Sequence, residues 1–248
     1  MNSNIFRATA TLLLTAILAL AGSVSLHAAE IVEERAEFAI SLAYIPIARL
    51  EYIARHDDKR YAVYTRVEAA GLGSLISDSS RRTRVTGRIL DGNRVPDRYH
   101  TIQYHSDGTS SSTIIEYKNG IADRVILKES EEEQASVQPG GNAAGWDFLS
   151  IIHEYMRRKD QSTLCQRAVD AFDGKKHTVI RLEQPVRQSD GTVMCAGTYQ
   201  RFANPESKDA PKTPFSVYFR PVEGQPGLYE FVKLENESKL GRLRIVRQ

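Results

Sequence analysis

Along most of this chain, apolar and polar residues alternate with a period of two. In "RYAVYTRVE" (60–68), Tyr61, Val63, Thr65 and Val67 fall on one face, the pattern of a half-buried strand. The runs "TRVTGRIL", "RYHTIQYH", "STIIEY" and "IADRVILKE" follow, separated by Asp91-Gly92, Asp107-Gly108 and Asn119-Gly120. Such dipeptides suit the primed turns that fold one twisted strand back on the next. Residues 80–128 therefore read as an antiparallel meander. The acidic run "ESEEEQ" (Glu129–Gln134) and "ASVQPGGNAAG" after it read as an exposed connection. A plain glutamate run lacks the shaped loop of convergent oxygens that calcium needs.

One segment changes period. "WDFLSIIHEYMRRK" (Trp146–Lys159) reads as a helix with Asp147 as its N-cap. Leu149, Ile152, His153 and Met156 share a stripe, and Arg157, Arg158 and Lys159 complement the negative C-terminal end. Strand patterns then resume in "LCQRAVDAF", "HTVIRLE", "VMCAGTYQRF", "FSVYFRP", "YEFVKLENE" and "LRIVRQ". The tally is about eleven or twelve strands and one principal helix, with no repeat and no composition break. The expected fold is mainly β, antiparallel strands with one principal helix.

The N-terminus sets the compartment. Arg7 precedes an apolar run from Ala8 to about Leu20, and small residues follow, the layout of a secretory signal peptide. Cleavage is expected after Ala28 or Ala29, with Ser25 as the alternative. The apolar run falls short of the ~20 residues of a membrane-spanning helix. The expected organisation is thus an export signal, 1–29, and one β-rich exported domain, 30–248, that does not span a membrane. The chain carries a net charge of +2, and Arg7 is the only charged residue of the signal. A nearly neutral domain argues against nucleic acid as a partner. "RRTR" from Arg81 and "RRK" from Arg157 read as solvated faces.

The two cysteines are Cys165 and Cys195. An isolated pair in an exported protein is more often a disulfide than a metal site or nucleophile. Two buried thiols that never meet are the alternative. Closing a loop of about 30 residues would contribute roughly 3.6 kcal/mol in the chain-entropy model.

The candidate chemistry is sparse. "DAFDGKKH" brings Asp170 and Asp173 close in sequence, but D-x-x-D-G departs from the alternating acids of a calcium loop. Asp173-Gly174 instead has the composition of a hairpin turn. "HEYMR" at His153 has Arg157 where a zinc helix needs its second histidine. His100 and His105 lie five apart in a predicted strand, on opposite faces, with no third ligand. "GLGSLIS" around Ser74 has neither the nucleophile-elbow nor the phosphate-loop spacing. No cofactor, metal site or catalytic residue is expected from these motifs.

Taken together, "WDFLSIIHEYMRR", "LCQRAVDAFDGKKHTVIRLE", "VMCAGTYQRF" and the closing "SKLGRLRIVRQ" resemble the domain-of-unknown-function 3108 family. These are exported proteins of Gram-negative bacteria. The resemblance implies a periplasmic all-β domain without assigned catalytic residues. It also implies likeness to the open barrels of periplasmic lipoprotein carriers, a mainly β fold in which a curved antiparallel sheet or open barrel is wrapped around one principal helix. A sheet that curls without closing leaves an apolar concavity larger than one helix fills, and such concavities host ligands. The expected function is a non-enzymatic envelope protein that binds a lipid-like ligand or a protein partner and supports envelope integrity. Trp146, Phe148, Leu149, Ile152, Tyr155 and Met156 are the candidate cavity residues. A periplasmic hydrolase with a dispersed polar site, or a purely structural scaffold, are the alternatives.

Overall fold

The computed structural model describes residues 30–76, 78–129, 132–137, 145–165, 168–202, 210–238 and 240–248; the predicted signal, 1–29, lies outside them. Eight strands come first: β1 (Val32–Leu42), β2 (Ile45–His56), β3 (Arg60–Ala69), β4 (Ser80–Leu90), β5 (Asn93–Tyr104), β6 (Ser110–Lys118), β7 (Ile121–Glu129) and β8 (Glu132–Val137). A one-turn helix, α1 (Gly73–Ile76), interrupts them, and α2 (Phe148–Met156) follows. Next come β9 (Lys159–Asp160), a 3-10 turn (Gln161–Thr163), β10 (Ala168–Phe172), β11 (His177–Arg187), β12 (Val193–Phe202), β13 (Lys212–Pro221), β14 (Leu228–Ser238) and β15 (Gly241–Arg247).

All these strands belong to one sheet, ordered β10-β11-β12-β13-β14-β15-β1-β2-β3-β4-β5-β6-β7-β8, with β9 on the start of β14. Each half is a meander, and the two halves join where β15 pairs antiparallel with β1, from Phe38↔Arg247 to Leu42↔Leu243. Among the described residues β10 and β8 do not pair with each other, so the sheet is open. Its core face is set by the period-two pattern: Tyr61, Val63 and Thr65 are buried, as are Val85, Ile115, Val125, Phe38 and Phe219.

The turns explain which hairpins could be read from the sequence. Asp91-Gly92 and Asn119-Gly120 both have positive φ at both positions, as a type I′ turn requires, whereas at Asp107-Gly108 only the glycine does, so that turn is not of the expected primed kind. Ala43 and Tyr44 adopt positive φ as well, at 48° and 71°. No turn dipeptide marks that hairpin, so β1 and β2 were not among the expected strands. The acidic run is the second correction: Glu132–Val137 pairs with β7 as the sheet's edge strand instead of forming a loop. An edge strand needs a partner on one side only, which relaxes the demand for apolar sequence.

Helix α2 is shorter than the expected 146–159. Asp147 caps it as expected, accepting from the Ser150 amide at 2.8 Å. Trp146 lies before it and is tied to β10, its amide donating to the Asp170 carbonyl and its carbonyl accepting from Phe172, both at 2.9 Å. Arg157 is already extended, and Lys159 is in β9, so the basic run is not a helical last turn. Burial also differs from a single stripe: Leu149, Ser150, Ile151, His153, Glu154 and Met156 are all buried. The inner face of the sheet meets α2 from two directions, through β2, β3 and β5 and through β11 to β15. The disulfide joins Cys165 to Cys195 on β12, with Cα atoms 5.6 Å apart.

Candidate functional site

The residues around α2 divide into a polar side and an apolar side. On the polar side Asp147 is fully buried, and its carboxylate accepts from the amide and the hydroxyl of Ser150 at 2.8 and 2.7 Å. The Ser150 hydroxyl lies 3.2 Å from the Tyr61 hydroxyl. His153 Nδ1 shares a 2.5 Å hydrogen bond with the Tyr52 hydroxyl, and the imidazole stacks on Tyr61 with centroids 5.7 Å apart. Glu154 sits between Arg94 at 3.4 Å and Arg157 at 3.0 Å.

Burial governs the ionisation of this cluster. Desolvation pushes the Asp147 carboxyl up to about 6, against the opposing Ser150 hydrogen bonds. Desolvation, then Arg94 and Arg157, hold His153 well below its usual value, so its imidazole is neutral near pH 7. Burial raises the phenols of Tyr52 and Tyr61, which stay protonated.

Asp147, Ser150 and His153 supply the residue types of a hydrolytic triad, but their bonds run otherwise. Ser150 donates to Asp147, and the described partner of His153 is Tyr52. A nucleophile–base relay needs the histidine on the serine and the acid on the histidine. All three are at most 1 % exposed, and none lines the described cavities. The arrangement holds the helix in place.

On the apolar side lies a cavity of about 310 Å³. Phe148, Ile152, Tyr155 and Met156 form its helical wall, while Ile180, Phe215, Val217, Phe231, Leu234 and Ile245 form most of its sheet wall. Four of the six residues named from the sequence therefore meet there. Leu149 is instead packed into the core, and Trp146 lines a separate hollow of about 180 Å³ with Glu154, Arg157 and Lys159. A wider hollow of about 830 Å³ beside Cys165 has a mixed lining, Gln161, Ser162, Glu183 and Gln184 with Ala168, Leu182 and Pro185. The sheet wall was missed because its residues come from six strands, β2 and β11 to β15, which no local pattern brings together.

The motif "DAFDGKKH" is a hairpin turn between β10 and β11. Asp173 Oδ1 accepts from the amides of Lys175 and Lys176 at 2.9 and 2.6 Å, and Gly174 takes φ 93°. Asp170 pairs instead with His177 at 3.3 Å, so the two aspartates form no acid pair. Asp173 has a further role that its spacing did not reveal: its Oδ2 accepts from Arg201 on β12 at 2.5 Å. Among the described residues no group of three or more His, Cys, Asp or Glu is placed to hold a metal ion, and no helix is long and apolar enough to cross a membrane.

No protein-family model and no curated protein matches the chain. Among solved structures it is similar to a beta-barrel-like protein of the domain of unknown function DUF1849 from Brucella abortus. The two share 10 % identity and a TM-score of 0.49, over 89 % of this chain and 98 % of that one.

Proposed function

We propose that the chain is an exported periplasmic protein of the kind its resemblance to the domain-of-unknown-function 3108 family suggests. In this reading residues 1–29 are its export signal, and its open barrel wraps one principal helix, α2. It binds a lipid-like apolar ligand between α2 and the sheet, and in doing so supports the cell envelope. The observation that carries the reading is the cavity of about 310 Å³ with an almost wholly apolar lining. Empty apolar space forfeits contacts that a ligand would restore, and apolar pockets of about 300–1,000 Å³ are the usual small-molecule sites. The disulfide fits the oxidising compartment that the reading requires.

The test is to purify the exported protein, extract it with organic solvent and identify the released lipids by mass spectrometry. Binding of an anilinonaphthalene fluorophore, and its displacement by added lipid, gives the affinity. Ile152→Trp puts an indole into the cavity from its helical wall. It should abolish fluorophore and lipid binding and leave the thermal midpoint close to that of the delipidated parent. No extractable lipid, together with unchanged binding by Ile152→Trp, would refute the reading.

A further inference from the structure

One end of the apolar cavity is not apolar. Thr178 on β11 and Arg201 on β12 are direct cross-strand partners, and both line it. Thr178 is 2 % exposed, and its hydroxyl has no hydrogen-bond partner. A buried donor left unmade is costly, and such groups mark places where a ligand can complete the pairing. Arg201 is the one charged residue among the described residues of the lining, and it stands at the exposed rim. Asp173 engages its Nη2, which leaves guanidinium N–H groups of its five over for another acceptor. Tyr199 is two positions along β12, its hydroxyl accepting from Asn236 at 3.4 Å, so the polar groups gather toward one end.

We propose that the ligand of this cavity is a single-chain fatty acid, its tail among the helix and sheet residues and its carboxylate on Arg201 and the Thr178 hydroxyl. This rests on the lipid-binding reading above. A planar two-oxygen acceptor matches the guanidinium fork, and a second donor beside it is what an isolated carboxylate seeks. The volume selects one chain: about 310 Å³ is at the low end of small-molecule sites and leaves no room for the two or three chains of a membrane lipid. Asp173 then has a regulating position, because it competes with the ligand for Arg201 while it also holds the β10–β11 turn.

Isothermal titration of the delipidated protein with dodecanoate and with methyl dodecanoate tests the assignment. The acid should bind about tenfold or more tighter than the ester, the value of one charge-assisted hydrogen bond. Arg201→Gln should remove that preference and leave ester binding unchanged, and Thr178→Val should weaken the acid by a smaller factor. Asp173→Asn keeps an oxygen for the Lys175 and Lys176 amides and withdraws the competing charge, so it should raise the affinity for the acid. That gain cannot arise from misfolding. Equal binding of acid and ester overturns the fatty-acid assignment and leaves the apolar-ligand reading standing. If neither binds, the apolar-ligand reading fails, and this assignment falls with it.

Discussion

The two sides of α2 are built from the same helix and the same sheet, yet they are finished differently. Toward β2, β3 and β5, side chains close on one another: Asp147 on Ser150, Ser150 on Tyr61, His153 on Tyr52 and Glu154 on Arg94. Toward β11 to β15, Phe148, Ile152 and Met156 face Phe215, Val217 and Leu234 across unfilled space. Directional hydrogen bonds fix distances, so the polar side sets where the helix sits. Dispersion contacts carry no such constraint, and the opposite side is left with whatever gap that position dictates. The polar side therefore acts as an anchor, and the apolar side is free to serve a ligand.

The largest effect should come from breaking the anchor. Glu154 lies between Arg94 and Arg157, with its side chain and that of Arg94 only about a tenth exposed. Glu154→Ala leaves Arg94 buried without its carboxylate, which should destabilise by about 3–5 kcal/mol. The urea-denaturation midpoint measures it. A loss below about 1 kcal/mol would mean that water or a relaxed Arg94 replaces the pair, and that the polar side is not what holds α2.

Acidity separates two buried groups of the anchor, Asp147 and His153. The folded state holds Asp147 at about 6 against 3.8 when unfolded, so between these values it binds the extra proton. Its contribution is therefore present below about pH 4 and is lost as pH rises through 6. Relative to the parent, Asp147→Asn should gain roughly 2 kcal/mol between pH 4 and pH 7. His153 has the opposite sign. Its folded value is lowered, so the unfolded chain takes up the proton first, and stability is lost as pH falls below 6.5. His153→Gln should gain relative to the parent on acidification. Urea midpoints measured across that range test both, and slopes of the same sign would contradict the burial of one group.

How much of this was legible follows from the range of the interactions. Tyr61, Val63 and Thr65 were placed on the core face correctly because strand alternation is a property of neighbours in sequence. The Asp147 cap and the Asp173-Gly174 turn were legible for the same reason, since each closes within three residues. The β1–β2 hairpin was not, because Ala43 and Tyr44 are held at positive φ without turn chemistry of their own. Arg244 on β15 lies 4.4 Å from the Tyr44 ring, a long-range contact that no local pattern contains. His153 could be seen to lack a second zinc histidine on its own helix, but its hydrogen-bond partner Tyr52 stands 101 positions away. Thr178 and Arg201 are neighbours only through the register of β11 and β12. The site's helical wall could be read from one segment, whereas its polar end required the pairing of strands.

The smallest effects probe packing directly. Leu149 is 2 % exposed in the core, and Ile152, three positions along the same helix, borders the cavity. Replacing each by phenylalanine adds similar bulk to places of different fullness. Leu149→Phe should force neighbouring side chains off their rotamers and destabilise by about 1–3 kcal/mol. Ile152→Phe can extend into space already there, and filling a cavity commonly stabilises by about 0.5–2 kcal/mol. Isoleucine and phenylalanine have similar helix propensities, so the net should be close to neutral or slightly stabilising. Thermal midpoints of the delipidated proteins decide the matter, because bound lipid would itself raise the parent's midpoint. If both substitutions destabilise equally, the space beside Ile152 is already occupied by protein in solution. The two sides of the helix would then be equally closed, and the cavity could not receive a chain without first opening.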